Sequence, residues 1–213
     1  MKQSKRSATL STALIVATLL TASLAWAQRA PRTGGPPQVT VEGVEVNTQR
    51  TPNFGERTHS RARSPSQDWL QFVVVLKTEA GDDKWLDELT VNWHVMIDGG
   101  ETPRLYMQNS TSYVEIEHGV SQYGAVYVRP QLLRRYFGER RSPNPRNMLV
   151  YLEIMAGNVR VAEYTFNPGR ARVPEGWWRS PTLTRIEGGL LPPPRTPFQW
   201  LDYEFYMIPK TEN

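Results

Sequence analysis

The sequence predicts an all-β fold, a sandwich or barrel of about seven to nine short strands, on three observations. Short runs of β-branched and aromatic residues recur along the chain, several alternating apolar with polar side chains. Gly, Asn, Asp and Pro punctuate them as turn formers. The single helical pattern spans one or two turns, so nothing alternates with strands to build a parallel sheet.

The amino terminus decides which residues count toward that fold. Lys2, Lys5 and Arg6 precede an uncharged run over residues 13–24, and Ala25-Trp26-Ala27 follows. Small residues at −3 and −1 of a cut before Gln28 complete the order of a cleavable secretory signal over residues 1–27. A retained anchor needs about 20 predominantly apolar residues, and this run is shorter and rich in Ala and Thr. No Cys stands near the cut to carry a lipid, and a pilin-type leader is cut before its apolar segment, not after it. The expectation is export to the periplasm or surface of a Gram-negative-type cell, without a stable transmembrane anchor.

Removing 27 of the 213 residues leaves 186, enough for one domain with tails. The leader holds three of the 25 Lys and Arg and no acid, so 22 remain against 21 Asp and Glu. The basic excess is therefore largely the leader's, and nucleic acid is not an expected partner. The chain has no Cys, which excludes thiol catalysis and Cys-ligated metal and leaves packing alone to hold the fold.

Residues 28–38 (QRAPRTGGPPQ) read as a flexible Pro/Gly linker. A sandwich is expected over residues 39–170. Its first strand, residues 39–46, alternates apolar and polar with a break at Gly43 that suggests a bulge. Residues 47–66 are polar and rich in Arg, Pro and Ser, and read as a long loop. Residues 69–78 (WLQFVVVLKT) are apolar enough for a central strand. After a turn at Gly81-Asp82-Asp83-Lys84, residues 87–97 set Leu89, Val91, Trp93, Val95 and Ile97 on one face. Residues 104–117 give one or two strands around Asn109-Ser110, and residues 124–129 another, ended by Pro130. Residues 130–138 (PQLLRRYFG) read as the helical piece, with Pro at its start and Gly at its stop. Residues 147–155 and 159–166 flank Ala156-Gly157-Asn158, a hairpin signal. A Pro- and aromatic-rich extension over residues 171–213 ends in a strand-like run, residues 203–208. Trp93 in the third strand, facing inward, favours an immunoglobulin-like sandwich.

Catalytic chemistry finds little purchase. No G-x-S-x-G, H-E-x-x-H, P-loop or S-x-x-K stands in the mature chain. His59 lies in a polar loop, and His94 points away from the core as a half-exposed strand residue. His118, near Glu115 and Glu117, matches zinc spacings poorly. Asp82, Asp83, Asp87 and Glu88 lack the alternating pattern of a calcium loop. No catalytic residue, cofactor or metal is expected.

Contact surfaces are better signalled. Arg50, Arg57, Arg61 and Arg63 crowd one loop, and Arg129, Arg134, Arg135, Arg140, Arg141 and Arg146 crowd the helical segment. Guanidinium groups grip sulfate, phosphate and carboxylate in bidentate fashion, although a solvated arginine face looks the same in sequence. Trp177, Trp178, Phe198, Trp200, Tyr203, Phe205 and Tyr206 supply rings in the extension. Trp177 and Trp178 are expected to pack back on the sandwich, and the Trp200–Tyr206 stretch to meet a partner. The candidate contacts are thus Arg129, Arg134, Arg135, Arg140, Arg141, Trp200 and Tyr203.

The leader ending in AWA, the Pro/Gly linker, WLQFVVVLKT, VNWHVMI, RPQLLRRYFG and RTPFQWLDYEFY together form a recognisable layout. It resembles the small type IV pilus-associated immunoglobulin-like envelope proteins of verrucomicrobial, mucin-degrading gut bacteria. The resemblance implies an immunoglobulin-like sandwich and a structural or adhesive envelope role without catalysis. It implies envelope or pilus-assembly proteins as partners. The A-x-A leader departs from true pilins and points to an accessory component. The alternative is an exported carbohydrate-binding or weakly hydrolytic protein acting on anionic, mucin-type glycans, suggested by the arginines and aromatic rings.

Overall fold

The alternating run that opens the fold forms β1 (Gln38–Arg50), antiparallel to β2 (Asp68–Glu79). The register slips between Val41 and Gly43, so the glycine marks a bulge. β1 continues through Arg50, which corrects the expectation of a loop from residue 47. Asn47 to Arg50 are exposed and polar, and their ladder pairing with residues 68–71 keeps them extended.

A computed structural model describes residues 36–52, 68–79, 84–100, 104–138, 143–170, 172–201 and 204–210. The expected leader, most of the expected linker, the loop residues Arg57, His59, Arg61 and Arg63, and Gly81-Asp82-Asp83 lie outside the described residues.

The remaining elements are β3 (Trp85–Ile97), β4 (Leu105–Glu117), β5 (Ser121–Val128), α1 (Pro130–Phe137), β6 (Met148–Ala156) and β7 (Val159–Phe166). Three two-residue strands follow: β8 (Thr184–Arg185), β9 (Leu190–Leu191) and β10 (Ile208–Pro209). One sheet runs β1-β2-β5-β9, and the other runs β10-β4-β3-β6-β7 with β8 beside β4. Residues 104–117 form one continuous strand, because Asn109 and Ser110 stay in register with Trp93 and Asn92.

Two sheets packed face to face make the fold a β-sandwich. Leu89, Val91, Trp93, Val95 and Ile97 are all fully buried, the face that alternation predicts. They meet Phe72, Val74 and Leu76 of β2, Val126 of β5 and Val150, Leu152 and Ile154 of β6 in one cluster. Each such side chain contributes about 1.5–3 kcal/mol on burial, which is how a chain without disulfides holds together. α1 adds Leu133 to that cluster. Its Pro130 start and Gly138 stop fit the sequence, with Gly138 at φ 80°.

Beyond β7 the chain becomes a strap with little regular structure of its own. It adds β9 to β5, and β8 and β10 to β4, and drops Leu190 and Met207 into the central core. Gly124 makes room for it: a Cβ there would stand 2.9 Å from Met207 Cε and 3.0 Å from Tyr113 Oη. The strand expected over residues 203–208 is not continuous. Glu204 and Phe205 lie in a turn, Tyr206 makes a single bridge to Tyr123, and only Ile208–Pro209 pairs with β4. Side-chain docking fixes this stretch where a ladder was expected. Phe205 stacks on Tyr123 at 4.0 Å, and Met207 is buried.

Candidate interaction surfaces

A sandwich hides one face of each sheet, and the strap covers much of the two outer faces. On the four-stranded sheet, Trp69, Val73, Ala125 and Tyr127 point outward and gather around Phe198. Phe198 stacks flat on Tyr127 at 4.7 Å and meets Trp69 edge-on at 5.5 Å. Gln71, buried beneath, donates to the hydroxyls of Tyr127 and Tyr206, each at 2.9 Å, and accepts from Gln49 at 3.2 Å. A buried amide is tolerated when it is satisfied in this way.

On the six-stranded sheet, Tyr106, Leu149 and Tyr151 point outward and receive Trp177 and Leu183. The strap is pinned there by Arg185, which donates to the Trp178 carbonyl at 2.8 Å and lies over Tyr106 at 4.6 Å. Trp178 stacks on Tyr151 at 4.0 Å with planes 11° apart. Both tryptophans thus lie against the sandwich.

His94 departs from the half-exposed strand position expected of it. It is enclosed by Tyr106, Tyr151 and Trp178, with 14 % of its side chain exposed. Tyr106 donates to Gln108 at 3.0 Å and so accepts from His94 Nδ1 at 2.7 Å, which leaves Nε2 toward Glu153 at 3.9 Å. Burial lowers its pKa from the ordinary value, with Arg179 and Arg185 acting the same way and Glu153 opposing them.

Beside this cluster the strap stands off the β6–β7 hairpin and leaves a cleft of about 560 Å³. Glu153 faces Glu163 directly across the hairpin, an arrangement that repels unless bridged. Arg160 bridges it, 3.1 Å from Glu163 and 3.7 Å from Glu153. The Tyr151 hydroxyl donates to Glu163 at 2.9 Å. Burial, together with the hydrogen bond and charge of Glu163 and the charge of Glu153, pushes that hydroxyl up to about 12.

The residues singled out in sequence do not converge on this cleft. Arg129 precedes α1 and donates to the Gly188 carbonyl at 3.2 Å, tying the helix start to the strap. Arg134 and Arg135 are exposed on the last turn of α1, where cations also complement the helix dipole. Trp200 is 72 % exposed on the strap. Arg140, Arg141 and Tyr203 lie outside the described residues. Among the described residues, no three His, Asp or Glu side chains come together as a metal site, and no helix is long and apolar enough to cross a membrane.

A crystal structure of a protein from Akkermansia muciniphila superimposes with a TM-score of 0.67 at 21 % identity, covering 85 % of this chain and 98 % of that one. At that identity the likeness speaks for the fold. No curated protein matches the chain. One family model matches residues 30–213. The chain belongs to that family, and the match is consistent with the verrucomicrobial pilus-associated immunoglobulin-like proteins whose layout its sequence resembles.

Proposed function

We propose that this chain is a non-catalytic, exported interaction protein, an accessory component of a type IV pilus-like envelope assembly. Membership of a family not known for enzymes supports the reading. The observation that carries it is the contrast along the strap. Phe198 and Met207 are buried, yet Trp200 is 72 % exposed, Phe205 52 % and Leu201 40 %. Large rings left in water beside rings that are sealed mark a surface kept for a partner. The occupant is another protein of the assembly, taking Trp200 and Phe205 into apolar pockets. Arg134 and Arg135 offer bidentate contacts to carboxylates of the same assembly.

A photo-crosslinking residue placed at Trp200 in intact cells is expected to capture a pilus-assembly component. Trp200→Ala alone should lower co-purification at least about tenfold without lowering thermal stability, whereas Phe205→Ala, which also unstacks Tyr123, should lower both. A normal assembly in a deletion strain, with no assembly protein captured, would remove the reading. Export itself requires a mature chain beginning at Gln28, which intact mass measurement of the protein recovered from cells reads directly.

A further inference from the structure

We infer that the cleft between the β6–β7 hairpin and the strap turn at Trp177–Arg179 is a binding site for a neutral saccharide. Trp177 and Leu183, buried against Tyr106, Leu149 and Tyr151, clamp the strap to this face of the sheet together with Arg185. Trp178 packs one face on Tyr151 and is left partly exposed at the rim of the cleft, where its ring and Arg179, 5.9 Å from it, can meet the C–H face and hydroxyls of a pyranose. Glu153, Glu163, Arg160 and Arg179 line the cleft with Trp178.

The balance of these groups selects the ligand. A sugar hydroxyl both donates and accepts, so it needs carboxylates and guanidinium groups within one site. The cleft supplies both kinds in planar, paired form. With Glu175 it holds three carboxylates against two guanidinium groups, which works against a sialylated or sulfated sugar. A cation is also poorly served, because Arg160 already lies within 3.7 Å of both Glu153 and Glu163. An uncharged polyol ring fits this balance of donors and acceptors. The volume of about 560 Å³ lies inside the usual span of small-molecule sites, roughly 300–1,000 Å³. The inference is separate from the partner surface at Trp200, which sits elsewhere on the strap, and either can fail without the other.

The test is a glycan array carrying neutral, sialylated and sulfated oligosaccharides, probed with the mature chain, then calorimetry with the strongest neutral binder. Binding to neutral glycans in preference to charged ones is expected. Trp178→Ala should abolish it. Because that change also removes a ring stacked on Tyr151, Glu163→Gln and Arg160→Gln serve as the deciding variants. Each should weaken binding about tenfold, the usual consequence of losing a hydrogen bond to a charged group, with the melting temperature lowered by no more than a few degrees because these side chains are largely exposed. The assignment is overturned if no neutral glycan binds, if charged glycans bind better, or if both of these variants bind as the native chain does.

Discussion

One strap covers both outer faces of the sandwich, but it seals the first and leaves the second partly open. Over the four-stranded sheet, Phe198 fills the space between Trp69 and Tyr127, and the buried Gln71 amide has partners at both ends. Over the six-stranded sheet, Trp177 is sealed in the same manner, yet Trp178, Tyr151, Glu153 and Glu163 border a cleft. Matched, dry contacts stabilise a fold. Carboxylates and rings held side by side at a cleft add less stability and are suited to recognition. The same segment therefore serves as structural cladding on one face and as the wall of a site on the other.

The largest expected effect breaks the closed side. Phe198→Ala removes a 5 % exposed ring and strips the cover from Trp69 and Tyr127. A loss of about 3 kcal/mol is expected, equivalent to a melting temperature roughly 6–12 °C lower. Trp178→Ala, on the open side, should lower it by less than half as much, because that ring is only partly buried. Thermal denaturation followed by circular dichroism compares the two. Equal losses would mean that both faces are mere cladding.

How far this contrast can be read in the sequence differs between its parts. The inner faces are legible, since strict alternation sets Leu89 through Ile97 on one side of β3. The covered outer faces are signalled only indirectly. WLQFVVVLKT and MLVYLEIMA are apolar on both sides of the strand, which is what a strand covered twice requires. The first run reads simply as a central strand until the strap is seen lying on Trp69 and Val73. The cleft was out of reach. From the Gly157-Asn158 turn, regular pairing would place Glu153 opposite Ala162. A register shift in β7 after Met155 places it opposite Glu163, and that irregularity has no mark in the residues. His94 departs from its expected exposure for a related reason, because part of its cover comes from Trp178, some eighty residues away along the chain. Arg134 and Arg135 were legible as exposed cations because helix periodicity turns Leu133 inward and leaves them outside.

A smaller effect sharpens the account of the closed side. Tyr206→Phe removes one of the two hydroxyls that accept from Gln71 and leaves the ring in place. A loss of about 1 kcal/mol is expected, since the amide keeps Tyr127 but gives up one bond in a buried site. Adding Gln71→Leu to that variant should cost less than Gln71→Leu does alone, because the bond to Tyr206 is already gone and only those with Tyr127 and Gln49 remain to be lost. Chemical denaturation of the single and double variants measures it. A double variant that falls further than the sum of its parts would show that the amide has another role.

The smallest effect concerns pH, and it separates the faces by chemistry. Burial holds the His94 imidazole below its ordinary value, so the folded chain binds fewer protons here than the unfolded chain. The stability linked to this group is fully present above the unfolded pKa of about 6.5 and is lost as pH falls below it toward the lowered folded value. His94→Gln removes that dependence. The gap in melting temperature between the native chain and this variant should therefore narrow in favour of the variant from about pH 7.5 to 5.5. The Phe198→Ala loss, on the face built around an amide and phenol hydroxyls that do not titrate in this range, should stay constant over the same interval. A gap for His94→Gln that is equally flat would mean that the imidazole is protonated as readily in the fold as in water, and that the strap does not seal it.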